Sequence, residues 1–71
     1  MITPFDYILA DKQKVNKLQS DLIKLGIKEE HIHILPNNVI ELDKRKNIKK
    51  IKQLCKINNI EHLFVNGKEL I

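Results

Sequence analysis

The chain has 71 residues, of which 42% are hydrophobic and 31% charged, and a formal net charge of +4. This balance predicts one small globular domain over residues 1–71 and excludes an intrinsically disordered chain. The apolar runs are too short to cross a membrane, and the N-terminus lacks a signal-peptide pattern. Cys55 is the single cysteine, which is typical of a protein from the reducing cytoplasm.

The first half of the sequence predicts a strand, a helix and a second strand. Residues 5–10 alternate as a half-buried strand does. Asp11 is a suitable N-cap for the helix that follows, and Gly26 is a suitable residue to end it. Between them, apolar residues recur at helical spacing, at Val15, Leu18, Leu22 and Leu25. Residues 31–35 alternate again and predict the second strand.

The second half starts with a turn and repeats the order of elements. Pro-Asn-Asn at residues 36–38 predicts a tight connection to a third strand at residues 39–42. Asp43 is the expected N-cap of a second helix. The apolar positions of that helix are Ile48, Ile51, Leu54 or Cys55, and Ile57. Asn58 and Asn59 are expected to end it, because asparagine accepts left-handed backbone angles.

The C-terminal residues predict two further strands. Residues 61–65 form the expected fourth strand, and Asn66-Gly67 is a preferred two-residue hairpin turn. Residues 68–71 are therefore expected to fold back as a short fifth strand along an edge. An internal repeat supports the pattern, since residues 7–14 and 39–46 share Ile, Asp, Lys and Lys at an offset of 32 positions. Leu22 and Leu54 match at the same offset.

The order strand–helix–strand–strand–helix–strand resembles the ferredoxin-like βαββαβ sandwich. This resemblance implies an α+β domain in which two helices cover one face of a four-stranded antiparallel sheet, with the spatial order 4-1-3-2. A different pairing of the hairpins is the alternative. The resemblance is one of pattern without a metal-binding Cys pair or a glycine-rich ligand loop, so it transfers no activity.

Alternation along the strands assigns the two faces of the sheet. The aliphatic set is expected to face the helices: Ile8, Ala10, Ile32, Ile34, Ile40, Leu42, Leu63 and Val65. Opposed residues must share a face, which favours a three-residue turn that pairs Ile34 with Ile40 and His33 with Glu41. His33 with Glu41 and His31 with Asp43 are the expected cross-strand side-chain pairs. Cys55 is interpreted as a small core residue of the second helix.

The opposite, open face is expected to bind a protein partner. It would carry every aromatic residue and every histidine of the chain, in the set Phe5, Tyr7, Leu9, His31, His33, Leu35, Val39, Glu41, His62 and Phe64. A face this apolar is rarely bare in water, and aromatic side chains are enriched in interface cores. We expect a second copy of the chain, as a homodimer, or a different protein to cover it.

A basic segment forms the second candidate surface. Residues 44–56 contain seven of the thirteen basic side chains and no acidic one: Lys44, Arg45, Lys46, Lys49, Lys50, Lys52 and Lys56. Lys and Arg clustered on a helix are typical of phosphate binding, so nucleic acid or an acidic protein is a candidate partner. A solvated helix face is the simpler interpretation. Such a short basic chain would suit a phage or a mobile element.

Catalysis and base stacking are the remaining alternatives. His31-Ile-His33 resembles the histidine pair of rolling-circle nucleases, but Tyr7, the available nucleophile, would lie two strands away. Bases could stack on Phe5 and Tyr7, but Glu41 in the centre of the sheet would repel a phosphate backbone. The histidines and the cysteine do not have zinc-ligand spacing, so we expect no metal or other cofactor. The sequence therefore predicts a non-enzymatic, regulatory binding protein.

Overall fold

The computed structural model describes residues 5–43 and 48–71, which form a five-stranded antiparallel sheet and two helices. The strands are β1 (Asp6–Leu9), β2 (Ile32–Leu35), β3 (Val39–Leu42), β4 (His62–Val65) and β5 (Lys68–Glu69). The helices are α1 (Lys12–Lys24) and α2 (Ile48–Ile57). The strands lie in the order β2-β3-β1-β4-β5, so β1 and β3 are inner strands, as expected, and β2 and β5 are the edges.

Both helices pack on one face of the sheet and share a core with it. The buried cluster contains Ile8, Ile32, Ile40, Leu42 and Leu63 from the sheet, Val15, Leu18 and Leu22 from α1, Ile51 and Cys55 from α2, and Ile27 and Ile60 from the segments after the helices. These helix residues recur every three or four positions and so form one apolar stripe on each helix. Burial raises the pKa of the Cys55 thiol to about 11, which agrees with a core residue and not with a nucleophile.

The turn between β2 and β3 sets the register of the hairpin. Pro36–Asn38 is the three-residue connection that the sequence predicts, and its two asparagines have positive φ values of 66° and 62°. Ile34 pairs with Ile40, and His33 with Glu41. Both predicted pairings are confirmed at the level of the main chain.

The hairpin between β4 and β5 is also present. Asn66 and Gly67 have φ values of 55° and 75°, which suit a turn with two left-handed residues. β5 is shorter than the predicted range, but the Leu70 amide still donates to the Leu63 carbonyl oxygen at 2.7 Å. β4 is therefore an inner strand and not the edge strand that a four-stranded sheet would make it.

The two helices end in the same way. Gly26 (φ 101°) and Asn59 (φ 57°) occupy equivalent left-handed positions after α1 and α2. The next residue donates its amide to a carbonyl oxygen five positions back: Ile27 to Leu22 at 3.2 Å and Ile60 to Cys55 at 2.8 Å. In the structure, the buried residue equivalent to Leu22 is thus Cys55. The sequence repeat instead aligns Leu22 with Leu54, which is half-buried.

Several expectations about element bounds and burial are wrong. β1, β2 and β4 are each one or two residues shorter than predicted, and Glu29–His31 forms a turn of 3₁₀ helix before β2. Ile34 is 45% exposed because it lies on an outermost strand, and Ile57 is 68% exposed at the end of α2. Asp6, which the sequence did not mark as a core residue, is fully buried. Asp11 is the N-cap of α1 as predicted, but its side chain makes no capping hydrogen bond.

Candidate binding face

A row of side chains crosses all five strands on the face opposite the core. The register places His33 beside Glu41, Tyr7 beside Glu41 and Phe64, and Glu69 beside Phe64. The central members of the row are half-buried, and Glu69 at the β5 end is exposed. Tyr7 donates a hydrogen bond to the Glu41 carboxylate, and this bond is the main reason why the pKa of Tyr7 is raised. The Glu41 side chain is therefore engaged by a tyrosine.

Aromatic and aliphatic side chains make up most of the remaining open face. The rings of Phe5 and Tyr7 meet edge to face with centroids 6.5 Å apart, and the rings of His62 and Phe64 stack at 6.4 Å. Leu9 is 38% exposed in the middle of the sheet. Three more members of the predicted set are half-buried on this face: His31, Leu35 and Val39. Since both helices pack on the opposite face, these side chains remain open to solvent.

The Asp43 carboxylate binds two histidine side chains at the β2 edge. Its Oδ1 lies 2.7 Å from His31 Nδ1, and its Oδ2 lies 2.7 Å from His33 Nε2. The hydrogen bond from His33 is the largest cause of the lowered Asp43 pKa, and His31 adds to it, while partial burial acts in the opposite direction. The expected pair of His31 with Asp43 is present, but His33 binds Asp43 in place of the expected Glu41.

Asp43 was assigned two roles from its sequence. The repeat marks it as the N-cap of the second helix, but the residues that would form the first turn lie outside the described ranges. The pair with His31 was the second role, because Asp43 follows Glu41 on the same face of the strand and lies opposite His31. Both of its oxygens accept hydrogen bonds from histidine rings on β2 and the preceding 3₁₀ turn.

A second histidine–carboxylate pair lies near the other edge of the sheet. His62 Nδ1 and Glu69 Oε2 are 2.5 Å apart, and both side chains are largely exposed. Glu69 was not among the residues predicted from the sequence, although the Asn-Gly turn brings it back beside β4. β3 and β1 separate this pair from His31, so the two histidines of the repeat do not form one site.

The arrangement offers proton-binding groups but not an assembled metal site. Within residues 5–43 and 48–71, no group of three or more His, Cys, Asp or Glu side chains is arranged to hold a metal ion. Tyr7 is hydrogen-bonded to Glu41, which lies between Tyr7 and His33 in the register. His33 Nε2 is hydrogen-bonded to the Asp43 carboxylate. The tyrosine and the histidine pair are thus held apart, each with its own carboxylate.

The basic residues of the second surface are partly described. Lys44, Arg45 and Lys46 lie outside the described residues. On α2, Lys49, Lys50 and Lys56 are exposed, Lys52 is half-buried, and the helix contains no acidic residue. This part of the basic segment is therefore accessible to a partner.

α1 adds less positive surface than its lysine count suggests. Lys17 Nζ lies 2.8 Å from both Asp21 Oδ2 and Asn58 Oδ1, which joins α1 to the end of α2. Asn58 is buried and also donates to the Leu54 carbonyl oxygen at 2.9 Å. This network holds the Asp21 pKa below its usual value, mainly through the hydrogen bond from Lys17. This network was not predicted from the sequence, because the contact between Lys17 and Asn58 joins residues 41 positions apart.

A cavity of about 390 Å³ lies where β1 leads into α1, beside the start of β4. Its charged lining includes Asp11, Lys14, Glu61 and His62. Lys14 lies 3.9 Å from Asp11, and His62 is bonded to Glu69. Lys14 and His62 in this lining thus each have a carboxylate neighbour.

Neither helix in the described part of the chain has the length and apolar character needed to cross a bilayer. No known protein family, curated protein or solved structure matches this chain.

Proposed function

We propose that the protein is a small, non-enzymatic binding protein that assembles through its open sheet face. The observation that supports this most is that the half-buried aromatic side chains Phe5, Tyr7 and Phe64 share that face, with both helices on the other side. Phe5, Tyr7, Leu9 and Phe64 provide the aromatic and aliphatic surface that interface cores favour. The partner in this proposal is a second copy of the chain, which would give a small domain additional buried surface.

We propose further that the fold is a ferredoxin-like sandwich and that the protein is cytoplasmic. The order β2-β3-β1-β4, with both helices on one face, supports a ferredoxin-like sandwich to which β5 has been added. Cys55 is a buried, free thiol, which supports a protein of the reducing cytoplasm. A protein that binds a partner without catalysing a reaction would act as a regulator.

The mass of the assembly in solution tests the proposed interface. Light scattering coupled to chromatography should give at least two chains, at low and at high salt, because an apolar interface is not weakened by screening. Phe64→Asp should halve the mass, since it places a charge among the aromatic side chains of the face. Lys49→Glu, on the exposed side of α2, is the matched control and should leave the mass unchanged. A Phe64→Asp protein that is folded and has the mass of the original would contradict the proposal.

Nucleic-acid binding through α2 is the second candidate function. It is favoured by the absence of acidic residues from α2 and by the exposure of Lys49 and Lys56. The test is fluorescence anisotropy with labelled single-stranded and duplex DNA over a salt series. We expect affinity to fall steeply with salt and to drop further in Lys49→Glu and Lys56→Glu, but not in Phe64→Asp. A DNA affinity that changes neither with salt nor in the two lysine variants would exclude this function for α2.

A further inference from the structure

β2 is an edge strand, and half of its main-chain groups point away from the sheet. In an antiparallel ladder, successive residues direct their N–H and C=O groups alternately to one side and to the other. The Asp43 amide donates to the His31 carbonyl oxygen at 3.2 Å, so His31 and every second residue after it face β3. Ile32 and Ile34 therefore direct their main-chain groups outward.

Of these two residues, Ile34 has more main-chain groups that can pair with another strand. The Ile32 amide already donates to the Glu29 carbonyl oxygen in the 3₁₀ turn before β2. Ile34 presents both an N–H and a C=O group at the edge. Its side chain points to the helix side of the sheet, with Ile32, but is 45% exposed while Ile32 is 6% exposed. An unpaired donor, an unpaired acceptor and an uncovered aliphatic side chain thus coincide at one residue.

The other edge of the sheet is closed to a new strand. β5 has two residues, Lys68 and Glu69, and both are charged and exposed. Short, charged edge strands are a common protection against edge-to-edge pairing. β2 has four residues and no Lys, Arg, Asp or Glu among them, and the His33 ring is turned onto Asp43 of its own chain. β2 therefore lacks the protection that β5 has.

We propose that β2 pairs antiparallel with β2 of a second copy across a two-fold axis, with Ile34 opposite the partner's Ile34. Each Ile34 donates its N–H to the partner's Ile34 carbonyl oxygen and accepts a hydrogen bond in return. Such a reciprocal contact is what a two-fold axis requires. The two exposed isoleucine side chains meet on the helix side. On the open face, His33 lies opposite the partner's Leu35, so that no like charges face each other.

This pairing does not depend on the proposed open-face contact. Its two-fold axis is perpendicular to the sheet, so the open faces of both copies lie on the same side of one ten-stranded sheet. A face-to-face contact has its axis in the plane between two sheets. The two axes are perpendicular, so where they intersect both contacts coexist in a closed tetramer with three two-fold axes.

Ile34→Pro tests the hydrogen bonds of the proposed edge contact. Proline removes only an outward N–H here, and it is tolerated on the free side of an edge strand. The contact is small, so the measurement is sedimentation velocity over about a hundredfold range of protein concentration. We expect the mass of the original protein to rise with concentration and the mass of Ile34→Pro to be half as large at the highest concentration.

Two further variants make the result independent of strain caused by proline. Ile34→Glu keeps the N–H but places like charges opposite each other, and it should halve the mass as well. Ile23→Glu is the matched control, because Ile23 is similarly exposed at 42% but lies on α1, and it should assemble like the original protein. Equal masses for the original protein and for folded Ile34→Glu would overturn the edge contact. If Phe64→Asp is the only variant that lowers the mass, the result supports the open-face contact and not the edge contact.

Discussion

Asp43 shows how one side chain can join a strand to its neighbour through two imidazoles. Each carboxylate oxygen accepts one hydrogen bond of 2.7 Å, from His31 and from His33. The two histidines lie on the same side because they are separated by one residue of the chain. Hydrogen bonds to the ionised form explain the lowered Asp43 pKa, so the ionised carboxylate is favoured in the folded protein.

This lowered pKa predicts a loss of stability in acid. A carboxyl group whose pKa is lower in the folded than in the unfolded state contributes stability above its unfolded pKa of 3.8 and loses it as the pH falls through the folded pKa. Asp43→Asn should therefore unfold more easily at neutral pH. Its stability should also decline less between about pH 4 and pH 2 than that of the original protein. Urea unfolding at a series of pH values measures both effects.

Asp21 provides the control for this prediction, because its pKa is lowered by Lys17 and not by histidine. Asp21→Asn should also flatten the acid part of the profile but leave the histidine contacts at β2 intact. The NMR signals of the His31 and His33 rings at neutral pH should therefore move in Asp43→Asn and stay the same in Asp21→Asn, because Asp43, and not Asp21, contacts these rings. Identical unfolding profiles of Asp43→Asn and the original protein would show that the carboxylate is not stabilised in the fold.

At the scale of the elements, the helix ends give a matched pair of substitutions. Gly26→Ala places a Cβ atom on a residue with φ 101°, which should lower the free energy of unfolding by about 1–2 kcal/mol. Asn59→Gly relieves a non-glycine residue at φ 57° but adds freedom to the unfolded chain, so its net effect should stay within about 1 kcal/mol. Ser20→Ala, on the exposed side of α1, controls for alanine itself. Urea unfolding ranks the three variants, and a neutral Gly26→Ala would contradict the assignment.

Local signals were sufficient for the elements whose geometry is set by neighbouring residues. The turns at residues 36–38 and 66–67 were predicted because asparagine and glycine accept positive φ, and they determined the register of two hairpins. The exposure of Ile34 and Ile57 was not predictable in this way. It depends on which strand is outermost and on where α2 ends relative to the core. The contacts of Asp43 with His33 and of Lys17 with Asn58 likewise depend on the docking of separate elements.

At the scale of the whole molecule, the proposed open-face contact and the proposed β2 edge contact would be independent routes to assembly. The open face offers ring surfaces around Phe64, and the edge offers the main-chain groups of Ile34. The two proposed contacts use different chemistry, and the residues substituted to test them, Phe64 on β4 and Ile34 on β2, lie on separate strands. Removing one should therefore leave the other intact, because substitutions at separated sites act additively when they share no contacts.

Combining the two substitutions tests this independence. With both contacts formed, the original protein should reach four chains at high concentration, while Phe64→Asp and Ile34→Pro should each stop at two. The double variant should be a monomer. Sedimentation velocity measures all four masses, and circular dichroism checks that each variant is folded. If the double variant matches Ile34→Pro, the open face does not hold a second copy; if it matches Phe64→Asp, β2 does not pair with itself.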